Sequence, residues 1–212
     1  MKIIKRLLAG GAAAIVWALL LMHWQEQVGT PCKSAVGYKV PLVMHGGDPY
    51  IRALMRTISA SESNVTCPYR VLYGGKYFQD LSQHPDRCIG IGWGPNRGNC
   101  TTAAGRYQFI TTTWLETARL YHPNPSGLLS WQKRYSFAPK YQDLVVYGWL
   151  SDRYAWGADI SKLLRQERLD EVLLLLSGTW TSLGYGIETN SMSGYLPSIY
   201  KEMLQEELNR AW

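Results

Sequence analysis

The chain has 212 residues, 46% of them hydrophobic and 18% charged, with a formal net charge of +6. That size suits one domain with a sizeable core plus a short extra segment, and the composition excludes a disordered chain. The basic excess would tolerate nucleic acid, but no zinc-ligand spacing, helix-turn-helix signal or arginine-rich run supports a nucleic-acid partner.

Lys2, Lys5 and Arg6 sit at the extreme N-terminus and precede an apolar stretch from Leu7 to Trp24, broken only by His23. The basic flank should stay cytoplasmic, which would place the rest of the chain outside the cytoplasm. The stretch is slightly short of the ~20 residues of a full span. His23 to Gln27 offers no small-residue cleavage site, so residues 1–24 read as an uncleaved N-terminal hydrophobic helix, a signal anchor, with a cleaved signal peptide as the alternative.

Residues 25–46 show no helical period and are punctuated by Gly29, Pro31, Gly37, Pro41 and Gly46-Gly47, so a linker is expected there. The cysteines Cys32, Cys67, Cys88 and Cys100 all follow the apolar segment. In an oxidising compartment they form two disulfides in one of three pairings. Cys88 with Cys100 would close a local Gly-rich loop and leave Cys32 to tether the linker to Cys67. Their spacing fits no metal motif.

The main domain is expected over 47–212. Asp48-Pro49 is an N-cap followed by proline in the first turn. Ile51, Leu54, Met55 and Ile58 then recur at i, i+3, i+4 and i+7, which predicts a helix running to about Ser61, with Glu62 at its C-terminal end. Arg70 to Phe78 holds two short strand-like runs around Gly74-Gly75, a hairpin signal. From Thr111 onward the chain reads as helical. Trp114, Leu115 and Ala118 mark one helix; Tyr141, Leu144, Val145 and Gly148 mark another. The apolar run Val172–Leu176 predicts a centrally buried helix, and Tyr195, Ile199, Met203 and Leu204 a last one. A small hairpin among helices gives an α+β class. Nine Trp and fourteen Tyr against three Phe suit either a sugar-lined groove or an aromatic core.

Glycosidic bond cleavage needs a carboxylic acid held protonated near neutral pH and facing a cleft. Glu62 is placed for this, because the negative end of a helix dipole and partial burial both disfavour its ionised form. Asp80, just past the hairpin, is the available second carboxylate. Asp86 follows it in a loop.

The surroundings of Glu62 carry a resemblance. Ser61-Glu62-Ser63, then Tyr73 to Pro85, then Ala104-Gly105-Arg106-Tyr107-Gln108-Phe109, Phe137 to Asp143, and Trp180 to Gly186 are similar in order and approximate spacing to the phage lambda endolysin family of lytic transglycosylases. The resemblance covers nearly all of residues 48 to 207. It implies a lysozyme-like fold, mainly helical with a small β-hairpin lining the cleft. It also implies peptidoglycan glycan strands as substrate, with Glu62 as the single acid/base that breaks the MurNAc–GlcNAc bond and yields 1,6-anhydro-MurNAc. Gln108 and Tyr185 are implied to bind substrate, together with Tyr107, Ser63 and Asp80, while Arg106 and Trp180 are read as structural. A hydrolytic lysozyme in which Asp80 assists, and a non-catalytic cell-wall-binding protein, are the alternatives. No cofactor or metal is implied, and a monomer at the cytoplasmic membrane is expected. The chain departs from the family in its N-terminal apolar segment, its extra cysteines and a shorter loop before Gly184-Tyr185-Gly186. Gly10, Gly11 and Ala12 to Ala14 in the apolar segment resemble the signal-arrest-release segments of some phage endolysins.

Overall fold

The first α-helix of the described residues forms where the capping signals place it, and several of the later helices pack against it. In the computed structural model, which describes residues 37–124, 135–185 and 190–210, α1 spans Pro49–Glu62. Asp48 caps it by accepting the Tyr50 amide at 2.9 Å, and Pro49 occupies the first turn, where a missing N–H is harmless. Ile51, Leu54, Met55 and Ile58 are buried as the period requires, but so are Arg56, Thr57 and Ser59 on other faces. A helix buried nearly all round must satisfy its polar groups internally. Arg56 does so through Glu207 at 3.0 Å and Glu206 at 2.8 Å, and Arg52 through Glu207 at 2.7 Å.

Both acidic partners lie on the last helix. The later elements are α2 (Thr111–Tyr121), α3 (Pro139–Ser151), the short α4 (Arg153–Trp156) and α5 (Ile160–Arg165), α6 (Leu169–Leu176), and α7 (Leu196–Arg210). α7 packs along α1, with Leu196, Ile199, Tyr200 and Met203 buried. Tyr195, expected on this helix, lies in the preceding 3-10 turn and is exposed. In α6, Val172, Leu173 and Leu176 are buried, but Leu174 is 57% exposed and Leu175 partly so. The apolar run is therefore one-sided, because the helical period turns one of its leucines to solvent however apolar the sequence. The aromatic excess serves the core in part: Trp114 meets Phe137 edge-on at 4.7 Å, and Trp149, Trp156 and Trp180 form a cluster.

The described residues contain one two-stranded antiparallel sheet, and it is not at the expected hairpin. β1 (Ile89–Gly90) pairs with β2 (Cys100–Thr101), with Ile89 opposite Thr101 and Gly90 opposite Cys100. The Cys88–Cys100 disulfide spans this ladder with the Cα atoms 5.4 Å apart. The Arg70–Phe78 segment does fold back on itself, through Leu72 N–H to Lys76 O at 2.7 Å and Phe78 N–H to Arg70 O at 3.0 Å. A 3-10 turn over Tyr73–Gly75 leaves room for only the isolated bridge between Val71 and Tyr77. Cys67 is also disulfide-bonded, while Cys32 lies outside the described residues, as does the apolar segment over 1–24. Among the described residues no helix is long and apolar enough to cross a membrane.

The described end of the stretch read as a linker is tied into the fold. Leu42 and Met44 are buried, and the amides of Val43 and Met44 donate to Asp143 on α3 at 2.6 and 3.2 Å. Asp143 also accepts from the hydroxyls of Tyr69 at 2.8 Å and Tyr107 at 2.7 Å. Burial pushes its carboxyl up, while Arg106 and the donors pull the other way. Burial also raises both phenols, so each stays protonated as a donor.

Asp143→Asn puts an amide N–H₂ among four donors and should lower the unfolding free energy by about 3 kcal/mol. Chemical denaturation measures it as a lower midpoint at unchanged slope; a loss below about 1 kcal/mol would show the network to be dispensable.

Candidate active site

Glu62 is the last residue of α1 and partly buried. The helix ends there because Ser63 leaves helical geometry while its amide still closes on Ser59 O. Each residue around this end is held by a distant segment. Asn190 Nδ2 donates to Ser61 O at 2.8 Å, the Ser182 hydroxyl donates to Glu62 Oε1, and the Ser63 hydroxyl donates to Arg106 O at 2.6 Å. Three consecutive residues are thus clamped from the Ser182 turn, the Asn190 segment and the Arg106 loop. Ser182 falls inside a block that carried the resemblance, yet nothing in its local sequence singles it out. Its partner lies 120 residues away.

The Arg106 loop owes its shape to its sequence. Gly105 has φ of +75°, and a Cβ there would sit 2.3 Å from Gln142 Oε1 and 2.8 Å from the Phe137 ring. Glycine is the residue that fits. Gln142 in turn accepts the Arg106 amide at 2.9 Å and donates to Tyr69 O and Phe137 O at 3.0 and 2.8 Å. Arg106 is fully buried, donating to Tyr69 Oη and Val40 O at 2.8 Å and to Pro41 O at 3.2 Å. It is structural, as read from the sequence.

The other named residues divide by exposure. Tyr107 is fully buried with its hydroxyl committed to Asp143, and Ser63 is buried with its hydroxyl committed to Arg106 O. Both hydroxyls are thus engaged inside the protein. Gln108 has φ of +45° and is partly buried, its side-chain amide donating to Gly105 O at 2.9 Å, so it locks the turn. Tyr185 is 48% exposed, and burial together with the Asp170 carboxylate raises its phenol above the usual range. Trp180 is buried, its indole N–H donating to Tyr107 O at 3.0 Å.

Asp80 is exposed and accepts the Ser82 amide at 2.9 Å, and its hydrogen bonds with Ser82 hold its carboxyl below the usual range. Asp86, also exposed, accepts from the Thr111 hydroxyl at 2.6 Å. Between them His84 is buried, bonding Phe109 O through Nε2 at 2.8 Å and accepting the Asp86 amide at Nδ1. That pattern selects the neutral Nε2–H tautomer. Among the described residues no group of three or more His, Cys, Asp or Glu side chains comes together that could hold a metal ion.

The family model described as Endolysin matches residues 52–205. Among solved structures, bacteriophage lambda lysozyme in complex with a chitohexasaccharide superposes with a TM-score of 0.54 at 23% identity, covering 76% of this chain and 97% of that one. A second structure, lysozyme from bacteriophage lambda, gives 0.53 at 22% identity with the same coverage. At these identities the fold is what is shared. No curated protein matches the sequence.

Burial lowers the pKa of His84 from 6.5, and that of His122 likewise. As the pH falls through 6.5 the unfolded chain takes up protons that the native imidazoles refuse, so stability is complete above this value and lost below it. Thermal melts from pH 7.5 to 5 should show a falling midpoint, and His84→Gln should flatten that dependence; an unchanged slope would remove His84 as its source.

Proposed function

This chain belongs to the endolysin family, and on that premise we propose that it is a lytic transglycosylase that cuts peptidoglycan with Glu62 as its acid/base. The observation that carries the proposal is the single partly buried carboxylate at the end of α1, with the residues on both sides of it clamped and its Oε1 bonded by Ser182. A glycosidic acid must be held in place to within a fraction of an ångström, and this arrangement does so from three distant segments.

In the proposed reaction Glu62 gives its proton to the oxygen between MurNAc and GlcNAc as the C1–O bond breaks through an oxocarbenium-like state. The carboxylate so formed takes the proton of the MurNAc 6-hydroxyl while O6 bonds to C1. The acid is regenerated, the product is 1,6-anhydro-MurNAc, and no water is added. One carboxylate suffices for this cycle. Asp80 supports a second role poorly, since it is exposed and turned to the Ser82 amide. Tyr185 supplies an exposed aromatic face for the glycan, and Gln108, partly buried, is the second binding residue of the proposal.

The catalytic domain, over 47–212 and with the chain from residue 37 packed against it, acts outside the cytoplasmic membrane in this proposal. The Cys88–Cys100 disulfide supports that placement, since such a bond persists in oxidising compartments. The basic residues before Leu7–Trp24 support export of the chain or its anchoring in the membrane.

Mass spectrometry of fragments released from purified peptidoglycan by the full-length chain tests the chemistry. Muropeptides ending in anhydro-MurNAc are expected, whereas reducing-end MurNAc would make the enzyme a hydrolase and return Asp80 to the mechanism. Glu62→Gln should lower release at least about 100-fold; undiminished release would assign the acid elsewhere.

A further inference from the structure

We propose that Ser182 is a positioning residue for Glu62: its hydroxyl holds Oε1 and so fixes the plane in which the carboxyl presents its proton. The inference rests on the reading of Glu62 as the acid/base. A carboxylic acid has two oxygens and rotates about its last bond, so an untethered side chain offers its proton in many directions. Donation to one oxygen fixes the plane of the carboxyl.

The identity of the donor matters as much as its place. A lysine or arginine at this position would hold the carboxylate ionised and disable it as an acid. A hydroxyl adds no charge, and it can donate to Oε1 both when Glu62 is ionised and when Oε2 carries the proton. Glu62 can therefore cycle between the two forms without losing the contact.

Ser182 is itself rigidly placed. It is 5% exposed, its carbonyl accepts from the Ser193 hydroxyl at 2.9 Å, and the Leu183 amide closes on Trp180 O at 3.1 Å. Trp180 is buried in the tryptophan cluster and bonded to Tyr107 O at 3.0 Å, on the loop whose next residue back holds Ser63. The turn that carries Ser182 and the loop that holds Ser63 thus share one anchor.

Kinetics of the full-length chain on soluble, peptide-free glycan strands test this with Ser182→Ala, Ser182→Thr and Glu62→Gln. Ser182→Ala should lower kcat about 10- to 100-fold with KM within about twofold, and Ser182→Thr, which keeps the hydroxyl, should restore most of it. An alanine variant with wild-type kcat, or a threonine variant as impaired as alanine, would overturn the proposal. If Ser182→Ala does not fold, Ser182→Cys, of similar size but a weak donor, is measured instead with the same kcat loss expected. Glu62→Gln separates the two failures. If it is inactive while Ser182→Ala is normal, only the role of Ser182 falls; if it is active, the assignment of Glu62 falls with it.

Discussion

Asp143 is a carboxylate sealed inside the protein, and a buried charge persists only where donors surround it. Four donors do so, the amides of Val43 and Met44 and the hydroxyls of Tyr69 and Tyr107. Arg106 supplies the opposite charge through the Tyr69 hydroxyl. The requirement reaches well beyond one residue, because the donors come from segments far apart in sequence. The N-terminal stretch at 40–44, the turn at Tyr69, the Gly105–Gln108 loop and α3 can satisfy Asp143 only by converging on it. A polar network of this kind is favourable when complete and costly when partly made, so these segments take up their positions together.

The same loop serves the candidate site. Gly105 allows the backbone to pass within contact distance of Gln142 and Phe137, which turns Arg106 O toward Ser63 and Tyr107 O toward Trp180. Ser63 fixes the end of α1, and Trp180 fixes the turn that carries Ser182. The position of Glu62 relative to its hydroxyl partner is therefore set in part by this loop, acting through Ser63 and Trp180. Arg52 and Arg56 hold the other side of α1 to α7 through Glu207, whose side chain is fully buried. The helix that ends in Glu62 is immobilised along its length by paired charges and at its tip by hydrogen bonds.

Much of the fold follows from local pattern. Asp48-Pro49 and the apolar spacing from Ile51 to Ile58 define α1 and place Glu62 at its end, and Pro139 with the Tyr141–Gly148 spacing defines α3. Helix period and caps are properties of a few neighbouring residues, so they are readable in the chain. The Gly74-Gly75 turn was readable too, but the number of paired residues beside it was not. The paired strands form instead at Cys88 and Cys100, where a disulfide joins the ends of the loop.

The sequence by itself determined the principal helices and the position of Glu62 at a helix terminus, because each is set by local capping and periodic rules. Only the tertiary structure decided which polar side chains face outward. Tyr107 and Ser63 lie in motifs that resemble a substrate cleft, yet long-range closure commits both hydroxyls to the interior. Ser182 reads as an ordinary serine, yet closure brings it to Glu62 across 120 residues. A hydroxyl carries no periodic signature; its role is fixed by the partner it meets, and that partner is chosen when the whole chain packs.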